Sequence, residues 1–118
     1  MEKSHEVRVT TPDLLPWEHP LPTGDSVREA VARMPGWRYD ADSRPPCLVR
    51  TWKTPDFNTA MASLPPIGEL AERFGHHPDL ALGWGYLRIA WTTHDRGGVH
   101  ANDLLLAAAT SALLERLT

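Results

Sequence analysis

The sequence predicts an α+β fold: a four-stranded antiparallel sheet with helices packed on one face, in the order α-β-β-α-β-β-α. Three segments carry apolar residues at steps of three or four, the helical period. Between them lie four short segments rich in β-branched and aromatic residues, grouped as two pairs. Each pair is joined by a connection too short for the crossover that parallel strands need, so both pairs are hairpins. Helices that each present one apolar stripe then cover the sheet.

The elements follow in order. Four of the prolines, Pro12, Pro16, Pro20 and Pro22, fall in the first 22 residues. Proline fixes φ and removes a donor, so residues 1–22 read as an extended arm preceding a domain of residues 23–118. Leu14, Leu15 and Trp17 can pin this arm to the body; a solvated terminal tail is the alternative. Thr23 or Asp25 can cap the first helix, Val27, Val31 and Met34 give it one face, and Pro35-Gly36 ends it. Trp37 to Asp40 and Cys47 to Lys53 form the first hairpin. Thr54 is the expected cap of the second helix, with Pro55 at its first position. Its stripe runs Phe57, Met61, Leu64, Ile67, Leu70/Ala71 and Phe74, in phase across Pro65-Pro66. A kinked helix, or two short collinear ones, is expected over 56–74, stopped by Gly75. Leu80–Leu82 and Tyr86–Thr93 form the second hairpin, with Leu87, Ile89 and Trp91 sharing a face. His100 or Asn102 caps a last helix over 101–117, where Leu105, Ala109, Ala112 and Leu113 can face the sheet. Trp52, Trp84 and Trp91 read as core or interface residues.

Composition narrows the function classes. The chain has 118 residues, enough for one domain with a core of its own. Its net charge of −3 argues against a nucleic-acid protein, which presents a basic face. No apolar run approaches the roughly 20 residues of a membrane span. Met1 to Glu6 has no apolar stretch, so no secretory signal is expected, and the single cysteine, Cys47, cannot form an internal disulfide. A cytoplasmic protein is the expectation.

Candidate chemistry collects at element ends, where binding and catalytic groups concentrate. His76 and His77 follow the second helix, His94 follows the last strand, Glu72 sits in the final turn before His76, and Asp103 opens the last helix. Imidazoles titrate near neutrality and suit proton transfer. Zinc ligation is less favoured, because adjacent histidines do not easily converge on one metal and no cysteine supports them. A structural histidine pair is the plainest reading for His76-His77 taken alone; the third histidine and the spacing argue for a pocket. His5, His19 and His100 read as solvated or capping.

The spacing is Glu72, three residues, His76-His77-Pro78, five residues, Trp84, nine residues, His94, eight residues, Asp103. With Gly36-Trp37 before the first strand and Pro55-Asp56-Phe57 at the second helix, this pattern resembles the pterin-4a-carbinolamine dehydratase family over roughly residues 25–117. The resemblance implies the same sheet and helix order, and assembly into homodimers or homotetramers. It also implies loss of water from a 4a-hydroxytetrahydropterin, with the pterin as substrate and no metal or redox cofactor. By the same match, His77 is the leading acid/base, with His76 and His94 binding substrate and sharing the proton work. Glu72 orients an imidazole or bonds the pterin, Pro78 lines the site and Trp37 covers the pterin ring. Asp103 caps the last helix and fixes the His94 loop, and Trp84 supports.

The chain departs from the family pattern at Gly75, where an acidic residue often precedes the histidines, at Asn102, where arginine is frequent, and at Pro65-Pro66. A second role on the same fold is a weakly active dehydratase-like protein that assists Rubisco assembly, in some forms linked to carboxysomes. The Pro-rich arm and the tryptophan content suit such a protein-binding surface. A third role known in the family, dimerisation partner of a transcription factor, has no support in this sequence.

Overall fold

The computed structural model describes residues 11–117. His5 and the first part of the arm lie outside the described residues. Helix α1 (Gly24–Val31) is capped by Thr23, whose hydroxyl accepts from the Ser26 N–H at 3.1 Å. Strands β1 (Trp37–Asp40) and β2 (Cys47–Lys53) form the first hairpin. Helices α2 (Phe57–Ala62) and α3 (Leu64–Phe74) follow, then strands β3 (Asp79–Gly83) and β4 (Tyr86–Trp91), and helix α4 (Ala101–Arg116) ends the fold. The sheet order is β1-β2-β4-β3, antiparallel throughout. The expected α+β architecture is therefore the observed one.

Register explains the core. Leu48 pairs with Trp91 and Trp52 with Leu87, so the period-two alternation of β2 and β4 sends these four side chains, with Ile89, to one face. Val27 and Val31 of α1, Ile67 and Leu70 of α3, and Leu106 and Leu113 of α4 join that face in a single core. The opposite face carries a smaller buried group, Cys47, Val49 and Ala90.

Of the two forms expected over 56–74, two short helices are the one found. Three other expectations need correction. First, the stripe does not stay buried: Phe57 and Met61 are exposed while Ala60 is buried. Pro65 and Pro66 lack the N–H groups that would bond the carbonyls of Met61 and Ala62. The first helix therefore ends at Ala62 and the second starts with proline at its first positions, where no donor is needed. Second, the cap is Asp56, not Thr54; Pro55 stands outside the helix, and Asp56 Oδ1 accepts from the Thr59 N–H at 2.8 Å. Third, α4 buries Ala109 and Leu113 as expected but also turns Leu106, Ala107, Thr110 and Leu114 inward, and it leaves Leu105 exposed. Alanine and leucine surround this helix, so apolarity alone does not mark its inner face, and polar Asp103 and Thr110 belong to it.

Hydrogen bonding by Thr59 holds the Asp56 carboxyl below its usual range. A carboxyl with a lowered folded-state value stabilises the fold above its unfolded value, and that contribution disappears as pH falls through the folded one. Asp56→Ala is accordingly expected to melt below the wild type at pH 7. The difference should begin to narrow at about pH 4, the unfolded carboxyl value, and go on narrowing as pH falls through the lower folded one. Thermal unfolding of both proteins across pH checks this.

Candidate active site

The second hairpin brings the histidines together. Asp79 opens β3 and pairs with Ala90 near the end of β4, so the chain enters one strand and leaves the other at the same end of the sheet. His76 and His77 precede β3 there, and His94 opens a single 3₁₀ turn just after β4. The turn into β3 is set by Gly75, which caps α3 with a left-handed backbone (φ 62°) that glycine adopts without strain. Its N–H donates to the Glu72 carbonyl and the His76 N–H to the Ala71 carbonyl, closing the helix end just before the histidines. The glycine that departs from the family pattern therefore has a backbone role.

Each of the three histidines has a carboxyl partner. His76 Nε2 lies 2.7 Å from Asp103 Oδ1, His77 Nε2 lies 2.6 Å from Glu72 Oε2, and His94 Nε2 lies 3.7 Å from Asp79 Oδ2. The pairs differ in setting. The His76 side chain is 15% exposed and Asp103 is fully buried, whereas His77 and Glu72 are 58% and 78% exposed. His94 and Asp79 are also largely exposed. Asp79 was not singled out from the sequence; its place directly after Pro78, where the strand begins, is the signal that could have marked it.

Asp103 joins the site to the fold. Its Oδ2 accepts from the Thr93 hydroxyl at 2.7 Å and from the His100 N–H at 2.9 Å. The second bond is half of a capping box; in the other half His100 Nδ1 accepts from the Asn102 N–H at 2.9 Å. Thr93 precedes His94, so one carboxyl fixes the start of α4, the His94 turn and the His76 ring. With Oδ1 accepting as well, His76 carries its hydrogen on Nε2, and Nδ1 is the ring nitrogen left for a ligand.

Aromatic side chains complete the surroundings. The Trp91 ring stacks on His76 with centroids 5.7 Å apart and planes 25° apart. Trp17, from the arm, lies 4.7 Å from His76 and 5.0 Å from His100. His100 Nε2 is buried without a hydrogen-bond partner, and the Trp17 and His19 rings lie beside its imidazole.

Two residues expected at the site are not brought to these histidines. Trp37 is seated in the core, 6% exposed, and its Nε1 donates to Ser111 Oγ at 2.7 Å. Ser111 lies eight residues along α4 from Asp103, about 12 Å at the helical rise. Arg50 Nη1 also donates to Ser111, at 2.8 Å, so the Trp37 indole is tied to the middle of α4 within the main core. Trp84, at the turn between β3 and β4, is 74% exposed and sits at the end of β3 remote from Asp79. Pro78 is half-buried between His77 and β3. Among the described residues, no three His, Cys, Asp or Glu side chains converge to hold a metal ion, and no helix is long and apolar enough to cross a membrane.

A family model described as pterin 4 alpha carbinolamine dehydratase matches residues 20–113. The chain belongs to this family. A protein of Aromatoleum aromaticum, named provisionally as a pterin-4-alpha-carbinolamine dehydratase, is 39% identical over 94 residues, covering 80% of this chain and 82% of its own. A Chlorobium limicola protein with the same provisional name is 40% identical over 91 residues, covering 77% and 80%. Among solved structures, a transcriptional coactivator/pterin dehydratase from Brucella melitensis superposes with a TM-score of 0.71 at 26% identity, covering 80% of this chain and 98% of that one. A pterin dehydratase-like protein described as a RuBisCO assembly factor in the alpha-carboxysome shares the fold, with a TM-score of 0.56 at 23% identity over 69% of this chain and 92% of that one. The arm before residue 20, with Trp17, lies outside the family match.

Asp103→Asn keeps the size of the hub but offers one acceptor oxygen to three donors. It is expected to cost roughly 1–3 kcal/mol of stability, the penalty for unpaired buried polar groups. The hydrogen on His76 should also move between ring nitrogens. Thermal unfolding and the histidine ¹⁵N NMR spectrum check both effects.

Proposed function

We propose that this protein is a 4a-hydroxytetrahydropterin dehydratase, a hydro-lyase that needs no metal or redox cofactor. The observation that carries the reading is the set of three carboxyl-paired histidines at one end of the sheet, in a chain of the pterin-4a-carbinolamine dehydratase family. The reaction breaks the C4a–O bond, removes the N5 proton and forms a C4a=N5 double bond, releasing water and a quinonoid dihydropterin. One group must protonate the departing hydroxyl while another takes the N5 proton.

His77 is the leading acid/base in this reading. A group that exchanges protons with both substrate and solvent must be accessible; the His77–Glu72 and His94–Asp79 pairs both meet this, and the spacing match puts His77 first. His76, held by buried Asp103, binds and orients the substrate through Nδ1. His94, paired with Asp79 at the same end of the sheet, shares the proton work. Proton transfer by a positioned side chain contributes typically about 10²–10⁴-fold.

The deciding assay follows dehydration of freshly generated 4a-hydroxytetrahydropterin. His77→Ala is expected to lower kcat at least about 100-fold without unfolding the protein, and prior chelation with EDTA is expected to leave the wild-type rate unchanged. A rate retained by His77→Ala sinks the assignment of the acid/base; a rate lost on chelation sinks the cofactor-free mechanism. A background rate from folded wild-type protein turns the question to protein binding, for which the Rubisco assembly factor supplies a likeness of fold.

The reading includes self-association. β1 and β3 are the two sheet edges, and exposed Leu80 and Trp84 lie on and beside the β3 edge. Unpaired edges invite a second strand. Sedimentation equilibrium is expected to give a homodimer or homotetramer, and a monomer at all concentrations overturns this part of the proposal.

A further inference from the structure

The arm that precedes the family domain ends on the site. Pro16, Trp17, Glu18 and His19 form a tight turn, with the His19 N–H donating to the Pro16 carbonyl at 3.0 Å. The tip carries Trp17, and the indole rests against His76 and His100.

This turn is fastened to the body. Before it, Asn102 makes a two-point clamp on one residue: its Oδ1 accepts from the Leu15 N–H at 2.7 Å, and its Nδ2 donates to the Leu15 carbonyl at 2.8 Å. Asn102 has no exposure to solvent. Across the turn itself, Arg96 Nη1 donates to the carbonyls of Trp17 and His19. Leu14 packs against the main core, and Arg73 Nη1 reaches the Thr11 hydroxyl at 3.1 Å. The strap is thus held by groups from α3, from the His94 turn and from the first turn of α4.

Asn102 stands where the resemblance leads one to expect arginine. A side-chain amide offers one acceptor and one donor, the set that a backbone N–H and C=O require; a guanidinium has no acceptor and cannot close this pair. The departure from the family pattern and the attachment of the strap are therefore one feature. Trp17 in turn adds a third constraint to a ring already fixed by Asp103 at Nε2 and by the Trp91 stack.

We propose that Trp17, clamped through Asn102, is a positioning residue of the active site: it orients the His76 ring and forms an aromatic wall against which a flat heterocyclic substrate is held. This inference rests on the dehydratase reading for the nature of the substrate and on the geometry alone for the orientation of His76. The two parts separate in the test.

The experiment compares wild type with Trp17→Ala, Trp17→Phe and Asn102→Ala, each checked for folding by circular dichroism. In ligand-free protein, Trp17→Ala is expected to shift the His76 ring resonances, which feel the indole ring current, and Trp17→Phe to restore most of the shift. With oxidised biopterin as probe, Trp17→Ala should raise Kd about tenfold, the effect of one aromatic contact. KM for dehydration should rise in parallel while kcat stays within about threefold, the pattern of lost binding rather than lost chemistry. Asn102→Ala should reproduce these changes without touching the indole. Unchanged His76 resonances in Trp17→Ala overturn the positioning role. Tighter biopterin binding in that variant overturns the wall, because the indole then obstructs the ligand. Wild-type protein that neither binds biopterin nor dehydrates the substrate overturns the wall together with the dehydratase reading, while the ligand-free resonances still decide the orientation of His76.

Discussion

Asp103 is a carboxyl with no exposure to solvent, and three parts of the chain meet on it. A buried polar group of this kind is tolerated only when its hydrogen bonds are made. Here the donors are the His100 N–H at the start of α4, the hydroxyl of Thr93, the last residue before the His94 turn, and His76 from the end of α3. His76 comes from a different stretch of chain than the consecutive His94 turn and α4 start, and each satisfies part of the carboxyl's need. The helix start, the turn and the imidazole are therefore placed by the same requirement. The site stands at this end of the sheet because this is where the polar core has to be closed.

Around that hub the three histidines are graded by exposure. His76 is enclosed by two indoles and a buried partner, a ring with one free nitrogen and little freedom. His77, the next residue in the chain, points to an exposed glutamate on the last turn of α3. The helix stop at Gly75 produces this split. A left-handed residue ends α3 and turns the chain toward β3, so that His76 and His77 take different environments. One imidazole is thus ordered while its neighbour stays in contact with solvent, so two side chains of the same chemistry take two different settings.

Much of this was legible in the sequence. The hairpins, the break at Pro65-Pro66 and the helix stop at Gly75 are written in local chemistry, so the ends that carry Glu72, His76, His77, His94 and Asp103 were found from spacing. What was not legible depends on contacts across the chain. The inner face of α4 is hidden because leucine and alanine occur all round it. The burial of Trp37 against Ser111 joins positions 74 residues apart. Asp79 meets His94 only through the β3–β4 register. Trp17 reached the site through a clamp spanning 87 residues, and no local periodicity announces such a contact. The sequence offered the arm's attachment as one of two readings, with Leu14, Leu15 and Trp17 as its anchors.

The departures from the family pattern fall into two physical kinds. Gly75 and Pro65-Pro66 are backbone solutions: one supplies a left-handed helix stop, the others start α3 where donors are not required. They act on the scaffold that carries the histidines and leave the histidines' own partners intact. Asn102 differs in kind, because its side chain reaches out of the family domain to hold a segment that the family model does not include. Fold alone does not separate a dehydratase from an assembly factor, since both kinds of protein share this architecture. The discriminating features must lie in side chains, and here the carboxyl partners of His76, His77 and His94 are all in place. The buried carboxyl orders His76 in either role, because it also caps α4 and fixes the His94 turn, so the exposed His77–Glu72 and His94–Asp79 pairs are where the two kinds of protein can differ.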